Sequence, residues 1–174
     1  MIIRPYQESD IDRIVTLFYE TVHSVNTRDY SKEQVEAWAP YQQADERKAA
    51  WQASLRRNFS FVAEENGVIV GFSDLSSKGY LDRMFVHKDH QGRGIASALL
   101  RRLELEAAAW NLPVIETDAS ITARAFFEAK GYTVVREQTV ERSGVKLNNY
   151  RMEKRFAPAS AKTENAEGTG EMSK

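Results

Sequence analysis

Two glycines flank an arginine where an amphipathic helix pattern begins, in the stretch His90-Gln91-Gly92-Arg93-Gly94. The first turn of a helix leaves backbone N–H groups free and carries partial positive charge. Glycine lets the backbone come close to a bulky anion, and a guanidinium is a good partner for phosphate. Gly92, Arg93 and Gly94 therefore predict a pyrophosphate site, although a plain glycine-rich turn between strand and helix fits the same residues.

The same stretch lacks two other phosphate-binding motifs. It has no G-x-x-x-x-G-K-[ST] pattern, and its QGRGIA segment does not fit the G-x-G-x-x-G fingerprint of dinucleotide-binding folds. Kinase, ATPase and nicotinamide-dependent functions are therefore not expected. The chain has no cysteine, which excludes thiolate nucleophiles and cysteine-bound zinc, and its three scattered histidines do not indicate a metal site.

The amino-acid composition limits the kinds of partner that this protein is expected to bind. The 174 residues carry a formal net charge of -1, which is not the basic surface that nucleic-acid binding requires. The first residues contain no apolar leader segment, and no stretch is long and apolar enough to span a membrane. We therefore expect a cytoplasmic domain with neither nucleic acid nor membrane as a partner.

Strands and helices in a definite order surround the glycine stretch. A strand, three helices and three strands precede it, and a helix, a strand, a short helix and a hairpin follow it. Ser9 and Ser31 are expected to cap the first two helices. This order predicts one mixed α/β sheet with helices packed on it, in a single domain over residues 1–156. Residues 157–174 are small, polar and without periodicity, which predicts a disordered C-terminal tail.

The glycine stretch and the element order together resemble one family. FVHKDHQGRGIASALL is similar to motif A of the GNAT N-acetyltransferases, whose signature Gln/Arg-x-x-Gly-x-Gly/Ala is matched by Gln91, Gly94 and Ala96. The resemblance extends over residues 2–156, and YSKEQVEAWA with TDASITARAFFEAKGY more narrowly resembles the YafP-like bacterial branch. It implies the α/β (α+β) GNAT fold, a mixed, mostly antiparallel sheet of about seven strands with a central splay and helices on both faces.

The resemblance implies that acetyl-CoA is the co-substrate and that no metal is needed. Backbone N–H groups of the glycine stretch would hold the pyrophosphate, and the preceding strand would pair with the pantetheine arm. In this family the arm lies where that strand and the next one separate. The residues implied for cofactor binding are Met84, Phe85, Val86, Gln91, Gly92, Arg93, Gly94, Ile95, Ala96, Ser120, Ala123 and Phe126. Core packing fits several of their side chains equally well.

Proton transfer to the departing thiolate is the step on which this chain differs from the family. Acetyl transfer to an amine needs a neutral amine and a stabilised oxyanion, but no protein nucleophile. Many family members protonate the thiolate with a tyrosine, whereas the matching position in FFEAKGY is Phe127, which cannot donate a proton. Tyr132 fits a core position better, while Ser120 and Tyr150 are candidates that the sequence does not rank.

Two aspartates are candidates for the general base. Asp82 lies in YLDRMFV, where alternation places it on the face of Tyr80 and Met84. A carboxylate in an apolar strand is costly unless it has a function or a partner. Asp118, at the end of the next strand, is the second candidate. Each also has a structural explanation, Asp82 as a hydrogen-bonded carboxylate and Asp118 as the cap of the following helix.

The acceptor pocket is expected between the first two helices and the final hairpin, as the resemblance implies. Tyr19, His23, Tyr30 and Trp38 are the candidates to line it, and such an aromatic wall suits a flat or apolar acceptor. A histidine has a pKa suited to a general base, but one histidine on a helix is more often structural. A tryptophan at helical spacing is likewise more often a core residue.

The predicted function is transfer of the acetyl group from acetyl-CoA to a primary amine of a small molecule, by direct attack in a ternary complex. Other functions stay open: a non-catalytic acyl-CoA sensor, which Phe127 supports, acetylation of a protein amine, and a phosphate-binding domain unrelated to acyl transfer. The near-neutral charge disfavours acetylation of charged tRNA. Because many family members are dimers, a homodimer is compatible with the resemblance.

Overall fold

Seven strands form one sheet in the computed structural model, which describes residues 1–157. The strands are β1 (Ile2–Pro5), β2 (Phe59–Glu65), β3 (Val68–Leu75), β4 (Tyr80–Val86), β5 (Val114–Ser120), β6 (Thr133–Arg142) and β7 (Val145–Arg155). They lie in the order β1-β2-β3-β4-β5-β7-β6, and every neighbouring pair is antiparallel except β4 with β5. The predicted mixed, mostly antiparallel sheet is therefore confirmed. Apart from Ala157, the tail predicted for residues 157–174 lies outside the described residues.

Three helices cover one face of this sheet. The helices of the chain are α1 (Ile11–Val22), α2 (Lys32–Trp38), α3 (Ala44–Arg57), α4 (Ile95–Ala109) and α5 (Ile121–Ala129). Phe18 of α1, Val35 of α2 and Leu55 of α3 pack in one core with the sheet residues Val62 and Phe72. Burial of these apolar side chains is what fixes the first three helices on the sheet.

The opposite face carries α4 and α5. Leu99 and Leu103 of α4 and Phe127 of α5 pack with Leu81 and Ile115 of the sheet, in a core separate from the first. The prediction of helices on both faces is therefore confirmed. Within residues 1–157, no helix combines the length and the apolar character that crossing a membrane requires.

Short sequence signals set where the first two helices begin. Ser31 caps α2, because its Oγ accepts the Gln34 N–H while the Gln34 side chain accepts the Ser31 N–H. The predicted cap at Ser9 is wrong. The chain turns at Gln7 instead, where the Asp10 carboxylate accepts the Gln7 N–H at 2.8 Å, and a 3₁₀ turn leads into α1. The cap lies two residues before Ser9 because the carboxylate that bonds to the N–H of the cap residue belongs to Asp10.

Strands β4 and β5 pair only at two positions. Tyr80 pairs with Glu116 and Leu81 with Thr117, and Thr117 Oγ1 also donates to the Leu81 carbonyl at 2.9 Å. Beyond these positions β4 continues along β3, while β5 continues along β7. The predicted central splay is therefore confirmed, and it opens a gap in the middle of the sheet.

A β-bulge lies where the gap begins. Two consecutive residues of β3 face Leu81 and Arg83 of β4, so Asp82 between them is the extra residue of the bulge. Leu81 and Met84 consequently pack against the same core although they are three residues apart. The predicted strict alternation through Asp82 is wrong, because the bulge interrupts the two-residue period of the strand.

A buried ion pair joins β4 to β3 next to this bulge. Arg83 Nε donates to Asp74 Oδ1 at 2.9 Å, and its Nη2 donates to the other oxygen of the same carboxylate. Asn58 Nδ2 donates to Asp74 at 2.7 Å, and Ser54 Oγ accepts from Arg83 at 2.9 Å. Because both charges are buried, removing either partner leaves the other without its close counter-charge.

Replacing Asp74 with alanine is expected to destabilise the fold by about 3–5 kcal/mol, because the buried Arg83 then loses its close partner and keeps only the partly exposed Asp82 at 3.4 Å. Urea unfolding followed by circular dichroism measures the loss. Glu153→Ala is the control, since Glu153 pairs with the exposed Arg155 and such surface pairs contribute about 0–1 kcal/mol. Equal losses for the two variants would contradict the role assigned to the buried pair.

Candidate active site

The glycine stretch forms a loop between β4 and α4 in which two glycines have positive φ. Gly92 has a φ of 70° and Gly94 of 79°, a conformation that other residues adopt only with strain. No other part of the protein lies within 4 Å of a Cβ placed on either glycine, so the space beside the backbone is open. The Ala98 N–H makes the first bond of α4, to the Gly94 carbonyl, which leaves the preceding N–H groups free. The loop thus offers free donors at the positive end of a helix.

One cavity of about 720 Å³ extends from this loop through the gap between β4 and β5 to the first three helices. Most residues implied for cofactor binding line it, namely Met84, Phe85, Val86, Gln91, Gly92, Gly94, Ile95, Ala96, Ser120, Ala123 and Phe126. Both candidate bases, Asp82 and Asp118, line it too, as do Tyr30 and Trp38. Among residues 1–157, no three histidine, aspartate or glutamate side chains come together in a way that could hold a metal ion.

Gln91 and Arg93 flank the loop in different ways. Gln91 Nε2 donates to the Val86 carbonyl at 2.7 Å, which ties the loop to the end of β4. Arg93 is about half exposed and pairs with Glu65 on β2, with 3.3 Å between Nη2 and Oε1. Arg93 is therefore the one implied cofactor residue that the structure does not bring to the cavity wall.

The edge of β4 that faces the gap has free backbone groups. The His87 N–H donates to the Val70 carbonyl of β3 at 2.8 Å. Because N–H groups alternate between the two edges of a strand, the N–H groups of Val86 and Met84 point away from β3. No residue of β5 pairs with β4 beyond Leu81. This edge can therefore pair with an extended ligand, as a further strand would.

Asp82 stands at the bulge, where the gap begins, with its side chain 44% exposed. Arg83 Nη2 lies 3.4 Å from Asp82 Oδ2, but the same guanidinium is already paired with Asp74. Burial raises the pKa of Asp82, Arg83 opposes this effect, and the Asp74 and Asp118 carboxylates raise the pKa further. A carboxyl group with a raised pKa is a better proton acceptor near neutral pH than an ordinary aspartate.

Three polar side chains donate hydrogen bonds to the Asp118 carboxylate. Arg151 donates to it at 2.7 and 3.0 Å, Tyr80 Oη at 2.9 Å and Gln138 Nε2 at 2.6 Å. Burial acts to raise its pKa, but these bonds together outweigh burial and hold the pKa below its usual value. Asp118 therefore joins β5 to its neighbours β4 and β7 and also to β6, as a fixed negative charge. The predicted alternative, a helix cap, is wrong because Ser120 caps α5.

The four predicted acceptor residues divide into two pairs. Tyr30 and Trp38 line the cavity, whereas Tyr19 and His23 do not. Tyr19 Oη donates at 3.0 Å to a carbonyl of the segment after α2, and His23 Nε2 lies 2.7 Å from the preceding carbonyl of that segment. Both rings stack with Tyr41. Their polar atoms hold the chain between α2 and α3, so the structure does not bring them to the acceptor side of the cavity.

The position of the family tyrosine is occupied by a core side chain. Phe127 is buried, and its ring centre lies 5.2 Å from those of Phe126 and Tyr132. Tyr150 is not among the residues that line the cavity, and a guanidinium lies 4.4 Å from the centre of its ring. Ser120 does line the cavity, and its oxygen accepts the capping bond of α5. Within residues 1–157 its hydroxyl hydrogen has no acceptor.

Sequence reasoning missed the part of the wall that α3 forms. Arg47 and Trp51 of α3 line the cavity together with Phe18 of α1. The signal available was their spacing, because residues four positions apart lie on one face of a helix. Spacing does not reveal which face of α3 the sheet covers, since that depends on packing against β2 and α1.

Comparisons with known proteins agree with this architecture. Residues 26–154 match the family described as "Acetyltransferase (GNAT) domain". Over 156 residues the chain is 35% identical to "Uncharacterized N-acetyltransferase YafP" of Escherichia coli strain K12, which covers 90% of this chain and 95% of that protein.

Two solved structures extend the comparison. A GCN5-related N-acetyltransferase from Rhodopseudomonas palustris, also described as a class-II aminotransferase, aligns with a TM-score of 0.83 at 33% identity, over 89% of this chain and 95% of that one. The PaiA N-acetyltransferase of Thermoplasma acidophilum, in complex with coenzyme A, has the same fold, with a TM-score of 0.72 at 17% identity over 89% and 98% of the two chains. The chain therefore belongs to the GNAT family of acetyl-CoA-dependent N-acetyltransferases.

Proposed function

We propose that this N-acetyltransferase transfers the acetyl group from acetyl-CoA to a primary amine of a small molecule, by direct attack of the amine. The observation that carries the proposal is one cavity in which the anion loop, the open edge of β4 and Asp82 meet. A cavity of about 720 Å³ is within the range of small-molecule sites, and it reaches both faces of the sheet.

The loop residues fit a pyrophosphate group. A Cβ on Gly92 or Gly94 would occupy the open space beside the backbone, which glycine leaves to the ligand. The N–H groups of the first turn of α4, from Ile95 to Ser97, supply donors, and the Val86 N–H is available to an amide of the pantetheine arm. When bound there, acetyl-CoA supplies an activated acetyl thioester.

Asp82 is the general base of this proposal. Primary amines are mostly protonated at neutral pH, and only the neutral amine attacks, so a proton acceptor beside the amine raises the reactive fraction. The raised pKa of Asp82 suits it to this role. Asp118 is held as an ionised carboxylate by Arg151, so it contributes a fixed negative charge and is not the proton acceptor.

Backbone and hydroxyl donors complete the site. The Met84 N–H faces the gap two residues closer to Asp82 than the Val86 N–H, so it can donate to the thioester carbonyl oxygen as negative charge develops there. Ser120 offers a free hydroxyl hydrogen to the departing sulfur, a role that Phe127 cannot fill. This assignment gives each proton and each charge of the reaction a group on the cavity wall.

The anion site is tested by Gly94→Asp, which places a carboxylate at the start of α4. We expect at least about tenfold weaker binding of acetyl-CoA, because the new negative charge repels the pyrophosphate. Calorimetric titration with acetyl-CoA measures the effect. Gly94→Asn is the matched control, since asparagine has the size of aspartate and tolerates the left-handed conformation similarly but carries no charge. Unchanged affinity in Gly94→Asp would remove the loop from the binding site.

The role of the base is tested by Asp82→Asn. The variant is expected to bind acetyl-CoA normally but to turn over about 10²–10⁴-fold more slowly, because it lacks the proton acceptor. In the wild type, kcat/KM should rise with pH through the raised pKa of Asp82, and this acid limb should disappear in the variant. The exposed Glu141→Gln is the control. Wild-type turnover with an unchanged pH profile would reject Asp82 as the base.

A panel of amines separates the enzyme from the sensor that the phenylalanine at position 127 favours. Release of CoA with at least one small amine supports the proposal. Turnover only with a protein or peptide amine would show that the acceptor is a protein amine instead. Tight binding of acetyl-CoA without turnover on any amine would instead support a sensor domain.

A further inference from the structure

Two guanidinium groups on the cavity wall, those of Arg47 and the exposed Arg142, have no anionic partner within residues 1–157. Arg47 of α3 lines the cavity, and it belongs to none of the ion pairs that these residues form. Its Nη2 donates to the Trp38 carbonyl at 3.1 Å, and its buried Nε has no hydrogen-bond partner there. Because a guanidinium has five N–H donors, most of those of Arg47 are available to a ligand.

Aromatic rings hold this cation in place. Arg47 Cζ lies 4.8 Å from the centre of the Phe18 ring and 5.8 Å from that of Trp51. The rings attract a positive charge, but they do not accept its N–H groups as a carboxylate oxygen does. A partly desolvated guanidinium with free donors favours an anion that can accept two parallel hydrogen bonds. A carboxylate group of a ligand meets this requirement.

Two other charged groups on the cavity wall are already compensated. Arg83 is paired with Asp74, and Asp118 is paired with Arg151. Asp82 differs from both carboxylates because its one neighbouring cation, Arg83, is held by the shorter bonds to Asp74. The cavity wall therefore has one weakly paired carboxylate, Asp82, and two unpaired guanidinium groups. Of these two, Arg142 is exposed, whereas Arg47 is held among aromatic rings.

Asp82 and Arg47 share one wall of the cavity. Arg47 Cζ lies 5.8 Å from the centre of the Trp51 ring, and Arg83 Cζ lies 4.9 Å from the same centre. Arg83 Nη2 is in turn 3.4 Å from Asp82 Oδ2. Both groups are therefore connected to Trp51, so a ligand bound beside this ring has a carboxylate and a guanidinium on the same part of the wall.

Apolar rings form the surface between them. Phe18 contacts Trp51 with 4.9 Å between ring centres and Phe85 with 5.0 Å, and Trp38 lies 6.4 Å from Phe85. Trp38, Trp51 and Phe85 are only partly buried, so each contributes apolar surface to the cavity. Such a wall favours an acceptor with an apolar or aromatic side chain.

We infer that the acceptor is an α-amino acid with an apolar or aromatic side chain, whose carboxylate binds Arg47. The inference rests on the proposed function, because it places the reacting amine beside Asp82. Asp82 accepts one proton from the ammonium group, and the neutral nitrogen then bonds to the acetyl carbon. The carbon–sulfur bond breaks, and the second proton lost by the nitrogen goes to the departing sulfur, which leaves as the thiol of CoA. A polyamine is disfavoured because it would bring more positive charge toward Arg47 and toward Arg142, which also lines the cavity.

Matched pairs of acceptors that differ only in the carboxylate test this inference. The pairs are leucine with isopentylamine, phenylalanine with phenethylamine, and tryptophan with tryptamine. In the wild type, kcat/KM should be at least about tenfold higher for the amino acid of the best pair, as expected for a charged hydrogen bond. Arg47→Gln should reduce that ratio by about 10- to 100-fold, mainly through KM for the amino acid. Comparing ratios removes differences in the intrinsic reactivity of the amines.

Two further variants of α3 separate binding from folding. Arg47→Lys keeps the charge but loses the bidentate donor pair, so its ratio should lie between those of wild type and Arg47→Gln. Arg57→Gln changes an exposed arginine of the same helix and should leave the ratio unchanged. All variants should keep wild-type affinity for acetyl-CoA, which also reports that the fold is intact.

Two results would overturn the inference: equal kcat/KM within every pair, or an Arg47→Gln variant that lowers both members of a pair alike. If no amine is turned over, the proposed function is wrong, but binding of the amino acid to Arg47 can still be tested. Calorimetry then measures the affinity of each ligand for the CoA-saturated protein. The amino acid should bind more tightly than its matched amine, and Arg47→Gln should abolish this difference in affinity. No binding of any of the three amino acids would also overturn the inference.

Discussion

The separation of β4 from β5 after two residue pairs is the constraint on which the rest of the structure depends. In a continuous sheet, β5 would take up the backbone groups of β4 between Asp82 and Val86, and no ligand could reach them. Because β5 turns along β7 instead, the N–H groups of Met84 and Val86, which point away from β3, stay free in the middle of the protein. Free backbone groups are costly when they are buried. The gap is therefore stable only as a solvated or ligand-filled cavity, which makes it a site for an extended molecule.

Charge is distributed around the gap according to the same principle. The buried Arg83 is compensated by Asp74, and Asp118 by Arg151, so these pairs fix the strands on either side of the splay. Asp82 is excluded from such compensation because the bulge places it beside an arginine that another carboxylate already holds. Burial raises the pKa of Asp82, and the Asp74 and Asp118 carboxylates raise it further against the opposing effect of Arg83, which suits Asp82 to accept a proton.

Much of this architecture is predictable from local signals, and the exceptions have physical causes. Glycines at a helix start predict the anion loop because only backbone geometry and helix polarity are involved. Tyr19 and His23 have the right residue types, but the chain after α2 crosses over them and binds their polar atoms. Arg93 turns to Glu65, a partner 28 positions away that no local pattern indicates. The bulge at Asp82 and the register of α3 against the sheet likewise depend on packing between distant segments.

Residue-resolved amide hydrogen exchange, measured with and without acetyl-CoA, shows whether the gap between β4 and β5 and the glycine loop together form the acetyl-CoA site. We expect acetyl-CoA to slow exchange at the Met84 and Val86 amides on the open edge of β4. It should also slow exchange at the amides of Ile95 to Ser97 in the first turn of α4. The amides by which β1 pairs with β2, at an edge of the sheet that does not line the cavity, should be unaffected. Protection elsewhere, with these amides unchanged on saturation by acetyl-CoA, would contradict the claim that the splay and the glycine loop form the binding site.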